Sequence, residues 1–385
     1  MIIIGLAWSV IASLPRTLRF AWDTLPQFFH SQNASGPWSA AAQAVISKYP
    51  MATYEKCHGG ACSTQSIETR NTAACKATNT ATGGATASVY YLNSLIDYGM
   101  FTPLYDLIKA HPEYALRDPG GTPIHTLGSS LGYNHSVAAM RDAWIADCIG
   151  AIDAGCDACY IDKSNAIGKM GTMSVAQGAL YYHAHLKSLS MLNAQLAAKG
   201  AWAVSNNQGS IAGGLGTTMT MLEDFAASEH CIAQLQTLAS RGLGVQAHAG
   251  DLPDGSVNAP GGGDACEEGG VNAMAAFLIG AGNYSYYHCA HKAEWASDPL
   301  WPAPGHPDRW LDWLPQYDRP LGAPLALGAK SADGVWRRSF ATGTNVTFNA
   351  TSSVGTIAWS DGHFSRGPPR PRNSNAGTGC VWVTM

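Results

Sequence analysis

The chain has 385 residues, a net charge of −4, 46% apolar residues and only 13% charged ones, about half the usual charged share. That balance excludes disordered chains, which are polar and charged, and offers no basic field to nucleic acid. With 42 Gly, 12 Trp and 15 Tyr, the composition is globular, aromatic-rich and weakly charged, and suits neutral polar ligands such as sugars.

In chain order, residues 2–14 form an apolar run, IIIGLAWSVIASL. It is too short to span a bilayer as a helix. Its length fits the apolar region of a signal peptide, but Arg16 and Arg19 follow the run and no basic residue precedes it. Residues 1–18 are therefore expected as a signal-type segment, with a buried first strand as the alternative. No later stretch is long and apolar enough for a stable membrane span.

Strands are predicted at Arg19–His30, Pro50–Lys56, Ala87–Asn93, Ala158–Asp162, Ala201–Asn206, Thr218–Glu223, Gly244–His248 and Ala275–Tyr287. Helical spacing fills the gaps at Trp38–Lys48, Pro103–His111, Ser136–Ala154, Ser174–Ala198, Ala226–Ser240 and part of Cys266–Leu278. Strands alternating with helices argue parallel βαβ units, and eight of them fit a (β/α)8 TIM barrel over residues 19–320. A doubly wound open sheet is the runner-up, without a G-x-G-x-x-G after the first strand. From about residue 321 to 385 the helical signal stops. Short alternating strands such as Trp336–Phe340, Asn345–Phe348 and Thr356–Trp359 predict a small β appendage.

Ten cysteines are present. Cys57, Cys62 and Cys75 fall in a Gly/Thr/Asn-rich stretch read as a loop, and Cys266 in a Gly-rich one. Loop cysteines favour disulfides and an oxidising compartment. At least one bridge is expected among Cys57, Cys62 and Cys75, or between Cys266 and Cys289. Cys148, Cys156 and Cys159 read as buried core. Cys156 and Cys159 form a C-x-x-C without the helix start or second pair that redox or zinc chemistry needs. Five N-x-S/T sequons, at Asn33, Asn134, Asn283, Asn345 and Asn349, add mild support for secretion.

In a barrel, the C-terminal strand ends build the site. They supply Trp22, Asp23 and His30, then Glu55 and Lys56, then Tyr91 and Asn93. Further along come Asp162 and Lys163, Asn206 and Asn207, Glu223 and Asp224, His248 and Asp251, and Tyr286 and His288. Asp162 and Glu223 each end a buried apolar strand, where a carboxylate loses water and must gain partners. Facing one cavity, two carboxylates can divide attack and proton donation at a glycosidic bond. Each could instead cap a helix or hold an ion pair. Glu55 could contact a sugar hydroxyl or form a salt bridge to Lys56 or Lys163. Tyr91, Asn93, Asn206 and His248 suit hydroxyl hydrogen bonding, and Trp22 could stack on a sugar ring or fill the barrel mouth. His183 and His185 point apart on a helix, and residues 251–270 lack EF-hand spacing and read as a lid, so no metal is expected.

The ordered motifs resemble those of glycoside-hydrolase-like TIM-barrel proteins, in particular the group named glycosyl hydrolase-like family fifteen. The matching stretches are Phe28-Phe-His-Ser31, Tyr54-Glu-Lys56, Tyr90-Tyr-Leu-Asn93, Leu116-Arg-Asp118, Tyr160-Ile-Asp-Lys163, Met221-Leu-Glu-Asp-Phe225, Tyr284-Ser-Tyr286, Leu321-Gly-Ala-Pro324 and Arg337-Arg-Ser-Phe340. The resemblance implies a barrel with a C-terminal β region and carbohydrate hydrolysis. In α-galactosidase-like barrels a nucleophile Asp ends the fourth strand and an acid ends the sixth. Asp162 matches the first; Glu223 matches the second in place, where those enzymes commonly carry Asp. The expected activity is a two-carboxylate glycosidase with a carbohydrate substrate and no cofactor. Asp162 and Glu223 would be catalytic, with Trp22, Asp23, Glu55, Tyr91, Asn93, Lys163, Asn206, His248 and Tyr286 around the substrate. A non-catalytic sugar-binding barrel, or a lyase or isomerase using Tyr91 or His248, are the alternatives.

Overall fold

The computed structural model describes residues 18–33, 36–60, 66–127, 130–164, 173–208, 214–223, 225–249, 270–289, 313–369 and 380. The fold opens with β1 (Phe29–Ser31), α1 (Ala40–Ile46), β2 (Met51–Tyr54), α2 (Ile67–Thr82) and β3 (Ala87–Asn93). An antiparallel insertion follows, made of β4 (Ile96–Asp97), β5 (His125–Leu127) and β6 (Ser130–Gly132), with α3 (Thr102–Ala110) inside it. Next come α4 (Ala138–Asp153), β7 (Ala158–Asp162), α5 (Val175–Ala198), β8 (Trp202–Asn206) and β9 (Met219–Leu222). Then come α6 (Glu229–Ser240), β10 (Gly244–Ala249), α7 (Val271–Gly280) and β11 (Ser285–Cys289). The chain finishes with β12 (Ala329–Lys330), β13 (Val335–Ser339), β14 (Asn345–Asn349), β15 (Val354–Ala358) and β16 (Phe364–Arg366).

Eight strands pair in parallel in the order β1-β2-β3-β7-β8-β9-β10-β11. The seam closes through a parallel bridge between Gln27 and Tyr287, with Phe28 N–H donating to the Tyr287 carbonyl and Tyr287 N–H to that of Pro26. This is the expected (β/α)8 barrel. The strands are buried on both faces because helices cover the outside and side chains fill the inside, which explains their continuous apolar character.

Two strand predictions shift. The expected eighth strand, Ala275–Tyr287, is in fact α7 followed by β11. The apolar run misleads because α7 lies between the barrel and the C-terminal sheet and is apolar all round. The first strand is only Phe29–Ser31, and residues before it form bends and the closing bridge. Helix α2 and the β4–β6 insertion were not predicted. α2, with the sequence IETRNTAACKATNTAT, is rich in Thr and Asn, which propensity assigns to loops. Tertiary bonds hold it: Asn71 Nδ2 donates to the Tyr54 carbonyl at 3.0 Å, and Cys75 is bridged to Cys156.

The disulfides are Cys75–Cys156, Cys148–Cys159 and Cys231–Cys380. Cys148, Cys156 and Cys159 are buried in the core, as expected, and each is bridged there. The C-x-x-C sends its two sulfurs to different helices, α2 and α4. Cys57 and Cys289 are disulfide-bonded too; Cys62, Cys266 and the bridges expected through them lie outside the described residues. So do residues 1–17, Asp224, Asp251 and the expected lid.

The five-stranded antiparallel sheet packs on α7. A Cβ on Gly355 would stand 2.5 Å from the Ala275 side chain, so only glycine allows this approach. Arg338, buried on β13, donates to the carbonyls of Leu278 at 2.8 Å and Ala281 at 2.5 Å, satisfying the open end of α7. Burial lowers its pKa to about 10, which leaves it charged at neutral pH. One apolar core runs from Val245 and Phe277 through Phe340, Val346 and Ile357. No helix among the described residues is long and apolar enough to cross a membrane.

Candidate active site

Strand alternation sends every second side chain into the barrel. At the C-terminal ends the inward layer is polar. Asn93 sits opposite Asp162 in the β3–β7 register, and Asn206 opposite Met221 between β8 and β9. Glu223 follows β9 directly.

Asp162 accepts four hydrogen bonds. Tyr91 Oη donates to Oδ2 at 2.7 Å and Asn93 Nδ2 to the same oxygen at 2.9 Å. Lys163 N–H donates to Oδ1 at 2.7 Å and Asn206 Nδ2 at 2.9 Å. Lys163 reaches this geometry with φ of 55°, a left-handed turn that folds its N–H back onto the preceding side chain. Asn93 is itself oriented, because its Oδ1 accepts the backbone N–H groups of Leu95 at 2.9 Å and Ile96 at 2.8 Å, which turns its NH2 to Asp162.

Glu223 Oε2 accepts from Asn206 Nδ2 at 2.8 Å and Asn207 Nδ2 at 3.3 Å. One amide nitrogen of Asn206 thus touches both carboxylates. The two oxygens it joins are no further apart than about 5.7 Å.

Glu55 is 1% exposed. Its Oε1 pairs with His30 Nε2 at 2.6 Å and its Oε2 with Lys56 Nζ at 2.8 Å. Burial alone would raise its pKa, but the Lys56 ammonium and the His30 hydrogen bond outweigh it and lower the value to about 2. The expected salt bridge of Glu55 is made to Lys56. Burial opposes the charge on Lys56, yet Glu55 and then Asp162 raise its pKa, so the ammonium persists. It lies 5.0 Å from the centre of the Tyr91 ring. His248 lines the same layer, with its ring 5.7 Å from His30 and 5.5 Å from His288. Burial and those two neighbours push its pKa well below the usual imidazole value, so it is neutral.

Three expected contacts lie elsewhere. Trp22 Nε1 donates to Asn283 Oδ1 at 3.1 Å, in the turn that enters β11, and its ring packs on Phe20 and Phe340. Asp23 is its neighbour, and its carbonyl accepts from Leu321 N–H at 2.9 Å. Both precede β1 and so sit where strands begin. Tyr286 lies one inward layer below His288, and its hydroxyl donates to the Arg19 carbonyl at 2.8 Å.

Sequence reasoning missed Tyr98 and Tyr160. Tyr98 follows β4, and its hydroxyl lies 3.5 Å from Asn93 Nδ2; burial, then Asp162, pushes its pKa up to about 12. It belongs to the insertion, which carries no barrel periodicity. Tyr160 lies two residues before Asp162 on the inward face, where strand alternation could have found it. Its hydroxyl donates to Met221 Sδ at 3.3 Å. Among the described residues, no group of three or more His, Cys, Asp or Glu is placed to hold a metal ion.

The barrel resembles solved structures at low identity. A maltogenic α-amylase, AmyB, from Thermotoga neapolitana is 11% identical, covering 90% of this chain and 94% of that one, with a TM-score of 0.52. The galactosidase domain of the α-galactosidase-sucrose kinase AgaSK is 12% identical, covering 86% and 46%, with a TM-score of 0.50. The glycoside hydrolase domain of PelA from Pseudomonas aeruginosa is 11% identical, covering 68% and 92%, with a TM-score of 0.45. No curated protein sequence matches the chain. A family model described as hypothetical glycosyl hydrolase family 15 matches residues 87–344, from β3 through the barrel into the C-terminal sheet. With about two thirds of its length matched, the chain belongs to hypothetical glycosyl hydrolase family 15, a glycosidase family.

Proposed function

We propose that the protein hydrolyses O-glycosidic bonds of an oligo- or polysaccharide, with Asp162 acting at the anomeric carbon and Glu223 as general acid and base. The observation that carries this reading is the shared Asn206 amide, which draws the two carboxylates into one site. Four donors, Tyr91, Asn93, Asn206 and the Lys163 N–H, hold the Asp162 carboxylate in one orientation, which supports it as the group beneath the anomeric carbon. Glu223, on a longer stem at the rim, suits proton transfer to the leaving oxygen. With both carboxylates on one amide, a double displacement fits the site: Asp162 displaces the leaving group, which Glu223 protonates, and water then hydrolyses the glycosyl ester. The remaining residues of the layer, Asn93, Lys56 and His248, would line the sugar. The disulfides support an oxidising compartment, secreted or within the endomembrane system.

The test is a panel of polysaccharides and aryl glycosides. Asp162→Asn is expected to abolish turnover of every substrate. Glu223→Gln is expected to spare activated aryl glycosides, whose leaving groups need little protonation. Wild-type activity in Asp162→Asn would end this reading.

A further inference from the structure

Asn206 has an unused acceptor at the centre of the site. The residue is 3% exposed. Its Nδ2 faces Asp162 Oδ1 at 2.9 Å and Glu223 Oε2 at 2.8 Å. Carboxylate oxygens accept, so the network assigns nitrogen to that side and turns the carbonyl oxygen away. That oxygen, Oδ1, is buried and takes no hydrogen bond from the described residues. The backbone cannot rotate to relieve it: Asn206 pairs with Met221 in the sheet, and Ser164 Oγ donates to its carbonyl at 2.6 Å. Buried amide oxygens are rarely left unpaired in finished structures. A ligand group that donates fits this position; a carboxylate or sulfate, which only accepts, does not.

We propose that Asn206 Oδ1 receives the hydroxyl on the sugar carbon next to the anomeric carbon. This rests on the glycosidase reading above, which puts the anomeric carbon between Asp162 and Glu223. The amide oxygen lies about 2.3 Å from the nitrogen that joins those carboxylates, given standard amide geometry. The substituent within its reach is the one on the neighbouring ring carbon. Asn206 then has two tasks. Its nitrogen spaces the carboxylates, and its oxygen selects sugars that carry a hydrogen-bond donor at that carbon. Hydrogen bonds at this hydroxyl tighten as the oxocarbenium centre develops, so the contact acts on turnover as well as on binding.

The experiment uses 4-nitrophenyl glycosides of galactose and glucose, each beside its 2-deoxy analogue. kcat/KM is measured for the best pair with wild type and Asn206→Ala. In wild type, removing the donor is expected to lower kcat/KM by roughly 10- to 100-fold, the usual range for a buried polar group left unpaired. In Asn206→Ala the same removal is expected to change it no more than about twofold, because the acceptor is gone. Equal losses in both proteins would overturn the proposal. If Asn206→Ala is inactive, calorimetric affinities for the matching iminosugar and its 2-deoxy form give the same comparison, and equal ratios overturn it likewise. A fully active Asp162→Asn would instead remove the underlying reading and this inference with it. An inactive Asp162→Asn with equal deoxy losses overturns this inference alone.

Discussion

Tyr91 and Asp162 meet across two neighbouring barrel strands, with the phenol donating to Oδ2 at 2.7 Å. Burial, then the charges of Asp162 and Glu55, push the Tyr91 pKa well above its usual value, so it remains a donor at every working pH. Tyr91→Phe removes one of four bonds to Asp162 and little volume. It is expected to lower kcat/KM by roughly 10- to 100-fold while costing about 1 kcal/mol of stability. Steady-state kinetics beside denaturant unfolding checks both; unchanged kcat/KM would show that the phenol does not support Asp162 in the reaction.

The Glu55–Lys56 pair sets a second expectation. Lys56→Met takes the ammonium partner from a buried carboxylate that keeps its bond to His30, and is expected to cost about 3 kcal/mol, whereas Lys56→Met combined with Glu55→Gln recovers most of it. The pH dependence follows from the lowered Glu55 pKa of about 2. The unfolded chain binds this proton more readily than the native one, so the contribution is full above the unfolded value near 4.3 and lost as pH falls toward 2. Urea midpoints from pH 6 down to 2 for wild type and Glu55→Gln measure it. Identical pH slopes would exclude Glu55 as the titrating group.

An opposite pH effect is expected on the outside of the barrel. Glu68 and Asp147 face one groove of about 470 Å³ between α2, α3 and α4. Burial, then the neighbouring Asp147, raises Glu68 to about 7; burial raises Asp147 to about 7, against the hydrogen bond from Tyr90. Here the native state holds protons that the unfolded chain has released. Stability should therefore fall as pH rises from about 4 to 7. Asp147→Asn should flatten that limb and raise the unfolding midpoint at pH 8. A midpoint at pH 8 equal to wild type would refute the assignment.

Two disulfides fasten the strand that carries Asp162. Cys148–Cys159 closes a separation of 11 residues and Cys75–Cys156 one of 81. Chain entropy makes the longer closure worth about 4–5 kcal/mol and the shorter about 3 kcal/mol. Replacing Cys75 and Cys156 together by Ser should therefore lower the denaturant midpoint more than replacing Cys148 and Cys159. The reverse order would show that native packing, rather than chain entropy, governs these bridges.

What the sequence revealed follows from which forces are local. Strands β3, β7, β8, β9 and β10 were legible because short apolar runs end abruptly in Asn93, Asp162, Asn206, Glu223 and His248, and the polar layer is those same endings. Elements stabilised by partners distant in sequence were hidden. α2 needs Cys156 and the Tyr54 carbonyl, and its own residues argue for a loop. α7 is apolar on every side and reads as a strand. Trp22 and Asp23 stand before β1 rather than after it, because a residue type near a strand does not say at which end of it the side chain stands. The Glu55–Lys56 pairing was visible only as one of two options, because i and i+1 side chains on an extended segment point apart unless the chain turns, as it does after Tyr54.

The seating of the C-terminal sheet on α7 has a consequence for how the chain can be divided. Phe277, Leu278 and Ile279 are fully enclosed, partly by Phe340, Phe348 and Ile357 from beyond Leu321. A polypeptide ended before that leucine would leave the last helical carbonyls without Arg338 and turn a greasy wall toward water. Such a fragment should self-associate rather than persist as a trimmed barrel, and the Cys231–Cys380 crosslink would go with the missing piece. The appendage is thus the barrel's outer wall on that side, and any exchange of modules between such enzymes would have to carry α7 along with it.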